Sequence, residues 1–370
     1  MQKKKILLTG ATGILGSWLL AEALRRGYAP VAVIRGDSEA TARRRLRQAL
    51  ASADVPGEEE ARVTVWLGDN TQAALGLSAD QWQTVRDSFA FVLHSAALTS
   101  FSQKKAALIH DTNVHGVEQV LQGLGDSGVP LYHVSTSYVA GTPGSPVAYE
   151  TDLKDEAHCR NPYEHSKREA ELLLRAAFEG GQPGAVFRPS IIVGAAQSGS
   201  IAQFMNFYQM LRLVDLIETG QLVVPERVRV MADPEANLNI VPVDWVAAAL
   251  WDIIEQSGAT GLTYHLTHPE PPTLWTLSDW ARKRLAVKGS EIEFHASLAP
   301  EGLTELEQYI HSLSNMFLQY ISRSEPLFDR THTDTALAGV VPFPAVDGAL
   351  FDRLLDYAHQ HQWLNAFERE

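Results

Sequence analysis

Residues 5–16 have the sequence KILLTGATGILG, and this stretch decides the fold. Its start, Ile6–Leu8, is a short apolar run of the kind that forms a buried strand, and a helical pattern follows the second glycine. Gly10 permits a tight turn, Gly13 lets the backbone approach a ligand, and Gly16 lets the helix pack closely on the strand. Amide groups at such a helix N-terminus bind anions, so the segment predicts a pyrophosphate site.

The glycine spacing is G-x-x-G-x-x-G, whereas the usual dinucleotide-binding loop has the spacing G-x-G-x-x-G. Taken alone, this loop is also compatible with a purely structural turn. Its place directly after the first strand favours a binding loop, because doubly wound folds hold pyrophosphate there. The dinucleotide-binding residues predicted from the loop are Thr9, Gly10, Thr12, Gly13, Ile14, Leu15 and Gly16.

Downstream of the loop, short apolar runs alternate with helical patterns through the first half of the chain. Strands are predicted at Ile6–Thr9, Val31–Ile34, Val63–Leu67, Phe91–His94, Leu131–Ser135 and Ala185–Arg188. Helices are predicted at Ile14–Arg26, Glu39–Ala51 and His115–Leu124. This alternation is typical of α/β proteins and predicts a Rossmann-like, doubly wound parallel sheet with helices on both faces.

After Gly194 the alternation stops. The elements predicted next are a helix over Ile201–Glu218, an extended segment over Leu222–Val230, a helix over Pro242–Gln256 and a strand over Thr263–Thr267. Beyond Pro269 we expect amphipathic helices around Leu303–Tyr320 and Val346–Gln362, without a further strand–helix repeat. These patterns predict a Rossmann domain of residues 1–194 plus about 234–268, and a smaller, mainly helical substrate lobe of residues 195–233 plus about 269–370.

Composition excludes several classes of protein. The formal net charge of −13 argues against a nucleic-acid-binding protein, because affinity for phosphate backbones comes from clustered cations. The single cysteine, Cys159, excludes an intrachain disulfide and a cysteine-rich metal site. His332 has no histidine partner four residues away, so we predict no metal site. No apolar run approaches the roughly 20 residues that cross a bilayer, and we expect a cytoplasmic protein.

The second predicted strand is followed by Arg35, where a protein that binds NAD usually has an acidic residue for the ribose hydroxyls. Arg35 instead offers a fork of donors for a 2′-phosphate, which favours NADPH over NADH, although Asp37 lies close by. Four arginines follow on the next helix, and each is either a further phosphate contact or part of a solvated basic face. They are Arg43, Arg44, Arg45 and Arg47.

Of the ten tyrosines, only Tyr163 has a lysine four residues on, at Lys167. Asn161 and Pro162 form a plausible cap and first turn, so Tyr163 and Lys167 share one face of a new helix. An ammonium beside a phenol lowers the pKa of the phenol, which suits a tyrosine for proton exchange with a carbonyl oxygen. The hydroxyls of residues 135–138 follow the fifth strand at the ligand-binding edge of the sheet; such hydroxyls also serve as ordinary turn residues.

Seven ordered segments resemble the motifs of extended short-chain dehydrogenases. They are TGATGILG (9–16), VIRG (33–36), HSAA (94–97), NVHG (113–116), VSTSYVAG (134–141), NPYEHSK (161–167) and FRPSIIVG (187–194). Within that superfamily the set is most similar to the thioester reductase branch, which includes terminal reductase domains of peptide and polyketide synthetases, carboxylic acid reductases and male-sterility-type fatty acyl reductases. The resemblance covers about residues 5–265 and is only loose beyond Pro269.

The resemblance implies that Thr136, Tyr163 and Lys167 are catalytic. It also implies that the glycine loop, the arginine after the second strand and the segment after the sixth strand bind NADPH, with Asp69 beside the adenine. The cofactor-binding residues predicted outside the loop are Arg35, Arg45, Asp69, Asn70, Ala96, Ala97, Asn113, Ser135, Tyr163, Lys167, Pro189, Ser190 and Ile192.

Together these features predict an NADPH-dependent oxidoreductase that reduces an acyl thioester, on coenzyme A or on a carrier protein, to an aldehyde. A second reduction to the alcohol, the acyl chain and the oligomeric state stay open. Since no adenylation or carrier domain precedes Met1, we expect the acyl group to arrive already activated. The alternatives are a nucleotide-sugar epimerase or dehydratase, a hydroxysteroid- or flavanone-type reductase, and a non-catalytic dinucleotide sensor.

The predicted substrate lobe contains an apolar stripe at helical spacing, formed by Leu303, Leu306, Ile310 and Leu313. Such a stripe either lines an acyl channel or is simply the core of the lobe. If it lines a channel, the length of the acyl chain should control activity, because each buried methylene contributes about 0.8 kcal/mol.

Overall fold

A computed structural model describes residues 3–141, 145–153, 155, 158–286, 291–299, 301–321, 325–365 and 368, without the side chains of 313–319. The strands are β1 (Lys5–Thr9), β2 (Ala29–Ile34), β3 (Thr64–Leu67), β4 (Phe89–His94), β5 (Leu131–Val134), β6 (Val147–Ala148), β7 (Gly184–Pro189), β8 (Ile191–Val193), β9 (Arg227–Met231), β10 (Ile240–Pro242), β11 (Thr263–Leu266), β12 (Glu291–His295) and β13 (Leu327–Phe328). The α-helices are α1 (Ile14–Arg25), α2 (Glu39–Ala51), α3 (Ala79–Ser88), α4 (Ala106–His110), α5 (Gly116–Leu124), α6 (Pro162–Glu179), α7 (Phe207–Glu218), α8 (Val243–Ser257), α9 (Leu274–Arg284), α10 (Glu305–Ile321), α11 (Thr331–Leu337) and α12 (Gly348–Gln360).

Seven strands form one parallel sheet in the order β11-β7-β5-β4-β1-β2-β3. The predicted α/β, Rossmann-like fold is therefore confirmed. The strand order reverses between β1 and β4, where Thr9 is paired in register with His94. In a doubly wound sheet the crevice beyond the carboxyl ends of two such strands is the ligand-binding position.

Both faces of this sheet are buried, which explains why its strands are continuous apolar runs rather than alternating ones. Ile6 and Leu8 of β1 pack on the face that α1 and α8 cover. Leu7, between them, points to the opposite face and packs with residues of α3, α5 and α6. The strand period of two thus places successive apolar residues in two separate cores.

The structure differs from the sequence prediction between Ile201 and Val230. The helix predicted from Ile201 begins only at Phe207, because Asn206 has a left-handed φ of 52° and interrupts the helical backbone. The extended segment predicted from Leu222 forms a strand only from Arg227. Pro225 precedes that strand, and proline has no amide hydrogen for a strand ladder.

The expectation of no further strand–helix repeat beyond Pro269 is wrong. Strand β12 follows α9 and pairs in parallel with β9. The sequence carried a signal for it, since Ile292 and Phe294 alternate with charged residues over five positions. Helices α7, α9 and α12 surround a separate apolar core that contains Leu211, Leu277 and Leu354.

Within the described residues, none of the helices has both the length and the apolar character that a membrane crossing requires.

Candidate active site

A cavity of about 630 Å³, here called the main cavity, opens beyond the carboxyl ends of β1, β2, β4, β5 and β7. Its wall brings together most of the residues predicted from sequence. The predicted residues that line it are Gly10, Thr12, Gly13, Ile14, Leu15, Gly16, Arg35, Arg45, Asp69, Asn70, Ala96, Ala97, Ser135, Thr136, Tyr163, Lys167, Pro189, Ser190 and Ile192.

Two predicted cofactor residues, Thr9 and Asn113, are absent from that lining and stand behind it. The Thr9 hydroxyl lies 2.8 Å from Nδ1 of His94. The Asn113 side chain accepts a hydrogen bond from the Leu98 amide at 2.7 Å and donates to the Ser166 hydroxyl at 2.9 Å. Both side chains therefore hold segments of the wall in place, and a direct contact with a cofactor stays a prediction for them.

The glycine loop forms a close cradle at the start of α1. Gly10 has φ +73°, and a Cβ built there would lie 2.6 Å from the Ala96 amide nitrogen. A Cβ at Gly16 would overlap the Gly10 carbonyl oxygen. Gly13 is the N-cap of α1 and supplies no side chain to bond the first-turn amides. Those amides border the main cavity, so the loop fits a pyrophosphate group.

Arg35 and Arg45 flank the outer end of this cradle. The Arg35 side chain is 72% exposed and lies 4.0 Å from the Asp69 carboxylate. Arg45 donates to the Arg35 carbonyl oxygen and, at 3.4 Å, to the Thr12 hydroxyl. Burial lowers the pKa of Arg45, and the charge of Arg35 lowers it further. A phosphate here would relieve the repulsion between two neighbouring cations.

Two other arginines of α2, Arg43 and Arg47, form ion pairs outside the main cavity. Arg47 lies 3.0 Å from the Glu60 carboxylate. Arg43 pairs with Glu39 at 2.8 Å and with Glu60 at 3.6 Å. Neither Arg43, Arg44 nor Arg47 lines the main cavity. Of the four arginines that the sequence left open, only Arg45 reaches the predicted phosphate site.

Tyr163 and Lys167 lie on the first turns of α6, where Asn161 caps the helix by accepting from the Glu164 amide at 3.1 Å. The predicted cap and first-turn proline are confirmed. Burial raises the pKa of Tyr163 to about 12, while hydrogen bonds with the hydroxyls of Thr99 and Thr136 act in the opposite direction. The expectation that Lys167 lowers the pKa of this phenol is therefore wrong, because burial raises that pKa and Lys167 is not among the groups that shift it.

Lys167 is 1% exposed and bonds elsewhere. Its ammonium donates to the Val134 carbonyl oxygen at 2.7 Å and lies 3.1 Å from Nε2 of His133. Burial lowers the pKa of Lys167 to about 8, partly offset by Glu171. Burial also lowers the pKa of His133 well below its ordinary value, so this ring is neutral and accepts from Lys167. The neutral imidazole thus accepts a hydrogen bond from the Lys167 ammonium and does not repel its positive charge.

Three hydroxyls in the wall of the main cavity are buried and have no hydrogen-bond partner in the part of the chain that the structure describes. They belong to Ser135, Tyr138 and Ser190. Thr136 differs, because its hydroxyl accepts from the Tyr138 amide at 3.3 Å. Buried hydroxyls without partners are costly, and a bound ligand would satisfy them.

Comparison with known proteins agrees with this geometry. Residues 8–250 match the family model NAD_binding_4, described as male sterility protein. The chain belongs to the male sterility protein family. Its family resemblance, predicted from sequence, is thereby confirmed, and a nicotinamide dinucleotide is the cofactor class of this family's binding domain.

Among solved structures, this family member is similar to the terminal R domain of the myxalamid polyketide–peptide synthetase pathway. The TM-score is 0.81 at 26% identity, over 99% of this chain and 93% of that one. Aldehyde reductase lnaA of Aspergillus flavus is 27% identical over 95% of this chain and 36% of its own length. UDP-glucose 4-epimerase shares the fold, with a TM-score of 0.68 at 16% identity over 97% of this chain and 98% of that one. The chain spans about a third or less of the length of the first curated relatives it matches.

A buried ionic network joins α6, the helix that carries Tyr163 and Lys167, to α10. Arg160 pairs with Glu164 at 2.9 Å and also bonds Glu325. The Tyr320 hydroxyl donates to Glu164 at 2.7 Å, and the Arg160 guanidinium stacks 4.1 Å from the Tyr320 ring centroid. Tyr320 lines the main cavity, so the network fixes a C-terminal wall residue against the helix that carries Tyr163.

Sequence reasoning missed several residues in the wall of the main cavity. Thr99 lies two residues after the HSAA segment, so motif position could have indicated it. Tyr138 was among the hydroxyls of residues 135–138 but was not counted among the predicted site residues. No sequence motif marks Asn206 and Met210, which lie in the 195–233 segment, or Tyr320, which lies on α10.

The remaining candidates lie away from the main cavity. His332 bonds the Thr263 carbonyl oxygen at 3.0 Å through Nδ1. Neither His332 nor Cys159 lines the cavity. A π-helical turn at Asp111–His115 brings His110, Asp111 and His115 together at the surface, with ligand atoms within 4.8 Å of one another. The absence of a metal site stays a prediction.

Proposed function

We propose that this chain uses NADPH to reduce an acyl thioester, releasing a thiol and an aldehyde. One observation carries the proposal: a single cavity joins an uncapped glycine-loop helix, a pair of arginines and the Thr136–Tyr163–Lys167 group. Family membership supports the reduction, and the likeness to a terminal R domain supports a thioester substrate.

The choice of NADPH rests on the outer end of the cradle. Arg35 is exposed toward solvent beside Arg45, and two guanidinium groups suit a 2′-phosphate dianion. Asp69 lies near Arg35, but its side chain also accepts from the Thr71 amide at 3.0 Å and from the Thr71 hydroxyl at 2.9 Å. Asp69 is thus held in a turn beside the arginines, a position that suits the predicted contact with the adenine.

A nicotinamide cofactor held by the glycine loop and the arginine pair would provide the hydride for the thioester carbonyl carbon. Tyr163, whose pKa near 12 keeps it protonated at neutral pH, donates its proton to the carbonyl oxygen while Thr136 holds the phenol in place. The resulting hemithioacetal then collapses: its hydroxyl proton returns to the Tyr163 phenolate as the C=O bond forms and the C–S bond breaks. The released thiolate takes a proton from solvent and leaves as the thiol, and the aldehyde remains. Lys167 anchors the ribose hydroxyls, as the family resemblance implies, with its ammonium held by Val134 and His133.

The substrate side of the site is proposed to come from the predicted lobe of residues 195–233 and about 269–370. Met205, Asn206, Met210 and Tyr320 face the main cavity opposite the strand ends. Coenzyme A and a carrier-protein arm present the same phosphopantetheine thioester; the R-domain relative favours the carrier protein. A cytoplasmic location stays a prediction.

Nucleotide-sugar epimerization is the second candidate, because a 4-epimerase shares the fold. Turnover of acyl thioesters and free aldehydes with NADPH, run beside turnover of UDP-sugars with NAD⁺ or NADP⁺, separates the two, because epimerization by way of a ketone first needs an oxidised cofactor. We expect thioesters to be consumed with oxidation of NADPH. Conversion of a UDP-sugar without net oxidation of NADPH, and no reaction with any thioester, would establish the epimerase instead.

A further inference from the structure

A second cavity, here called the apolar chamber, has a volume of about 200 Å³ and lies beside the main cavity. Helices α7, α9 and α10 and strands β9 and β12 form most of its wall. Among the described residues that line it, only Ser278 and Arg282 are polar. Such a lining excludes a sugar, a phosphate or a peptide backbone, because their polar groups would lose hydrogen bonds to water without replacement.

The chamber and the main cavity share two wall residues, Met210 of α7 and Ile321 at the end of α10. Tyr320 precedes Ile321 and lines the main cavity only. Two neighbouring residues of α10 thus differ in what they line: Tyr320 lines only the main cavity, and Ile321 lines both cavities. The two cavities therefore adjoin at Met210 and Ile321.

We propose that the apolar chamber holds the distal end of an unbranched aliphatic acyl chain whose thioester lies at Tyr163. This inference rests on the proposed function and adds the substrate class: medium-chain aliphatic acyl thioesters. Of the predicted apolar stripe, Leu306 and Ile310 line the chamber, Leu303 is buried outside it, and Leu313 lies outside the described side chains.

The alternative is that these residues are simply the core of the lobe. Part of the wall is core, since Leu277 and Leu306 are buried, but an open space remains beside them. Protein interiors are close-packed, with few voids larger than a water molecule. Here the apolar side chains of Leu213, Ile217, Val224, Phe294 and Ile310 line an open space and are only partly buried. A surface of this kind gains stability when an apolar ligand covers it.

The volume sets the length of chain that fits. A methylene displaces roughly the volume of one water molecule, about 30 Å³, so the chamber takes roughly six or seven methylenes. The first carbons of the acyl group occupy the main cavity, next to Tyr163. Specificity constants should rise about fourfold for each added methylene that enters the chamber, and then level off once it is full.

The test compares thioesters of N-acetylcysteamine from acetyl to dodecanoyl, with NADPH, on the full chain. Ala281 lines the chamber, so Ala281→Phe fills it. We expect Ala281→Phe to lower the ratio of octanoyl to acetyl specificity constants at least tenfold. The matched control is Ala176→Phe, an exposed alanine on α6, which should keep the ratio. A ratio that Ala281→Phe leaves unchanged would overturn the proposal.

A second variant and a binding measurement decide the remaining outcomes. If Ala281→Phe does not fold, Ile310→Ala is used instead. It enlarges the chamber and should shift the acyl-chain length with the highest specificity constant to longer chains. An unchanged preferred length would contradict acyl binding in the chamber. If no thioester reacts, the proposed function fails by itself, and calorimetry with the octanoyl thioester in the absence of NADPH still tests the chamber. Binding that Ile310→Ala or Ala281→Phe alters supports it, and the absence of binding refutes it.

Discussion

The main cavity and the apolar chamber are neighbours that use different means to form a site. In the main cavity, polar side chains are fixed by hydrogen bonds to residues at the strand ends, as Lys167 is by Val134 and His133. In the chamber, mostly apolar side chains from distant segments enclose a space and offer a ligand few hydrogen-bonding groups. The main cavity therefore depends on the exact positions of a few polar atoms, whereas the chamber depends on its volume and shape.

Removal of one oxygen from the main cavity should have the largest effect. We expect Tyr163→Phe to lower kcat by about 100-fold or more, because a positioned acid contributes that much, while affinity for NADPH stays nearly intact. Tyr149→Phe is the matched control, since Tyr149 is exposed and outside the cavity. Stopped-flow oxidation of NADPH measures both variants, and near-normal rates in Tyr163→Phe would refute its role as acid.

The arginine pair offers the next largest effect. Arg35→Ala should weaken NADPH by about 10- to 100-fold and leave NADH almost unchanged, because charged hydrogen bonds to the 2′-phosphate contribute about 1.5–3 kcal/mol. Arg47→Ala removes the same charge from α2 but leaves the main cavity untouched, so it should change neither affinity. Fluorescence titration gives the dissociation constants. Equal constants for NADPH and NADH in the unmodified protein would remove the basis for NADPH selectivity.

The pKa of Lys167 predicts a pH dependence of similar or smaller size. A pKa of about 8 means that the ammonium loses its proton as pH rises through 8. Affinity for NADPH should therefore fall about tenfold between about pH 7 and pH 9, since the neutral amine is a weaker anchor for the ribose hydroxyls. Tyr163→Phe should keep this dependence and Lys167→Met should remove it. A dependence that persists in Lys167→Met would place the titrating group elsewhere.

The smallest effect is expected for a conservative change in the chamber. Ile310→Leu keeps the volume of the lining, so the octanoyl specificity constant should change less than about threefold. Kinetics across the same thioester series measure it. A tenfold loss would show that the chamber depends on particular atoms, as the main cavity does, and the contrast between the two sites would disappear.

The same contrast explains how much could be predicted from the sequence. The placement of the cradle, Arg35, Tyr163 and Lys167 around one cavity was predictable, because each stands in a motif of fixed spacing along one strand, turn or helix. The raised pKa of Tyr163 was not predictable, since burial by the surrounding fold outweighs the hydrogen bonds with Thr99 and Thr136, which lower it. The start of α7 and strand β12 were missed because a left-handed Asn206 and a five-residue alternating run leave weak local signals.

The chamber was the least predictable feature, for a physical reason. Its wall combines Met210, Leu277, Phe294 and Ile310, which are far apart in sequence and differ in no way from ordinary core residues. Apolar periodicity marks which face of a helix is buried, but it does not distinguish a face packed against protein from one that leaves an open space.

The central claim, reductive release of a thioester, is tested most directly by counting products in one mixture. The protein is mixed with excess NADPH, the octanoyl thioester of N-acetylcysteamine and an aldehyde-trapping hydrazine, while a chromogenic disulfide reports free thiol. Our account predicts equal amounts of thiol released, NADPH oxidised and aldehyde trapped, with all three abolished together in Tyr163→Phe. Thiol release without oxidation of NADPH would indicate hydrolysis, and no release of thiol from any acyl thioester would contradict the account.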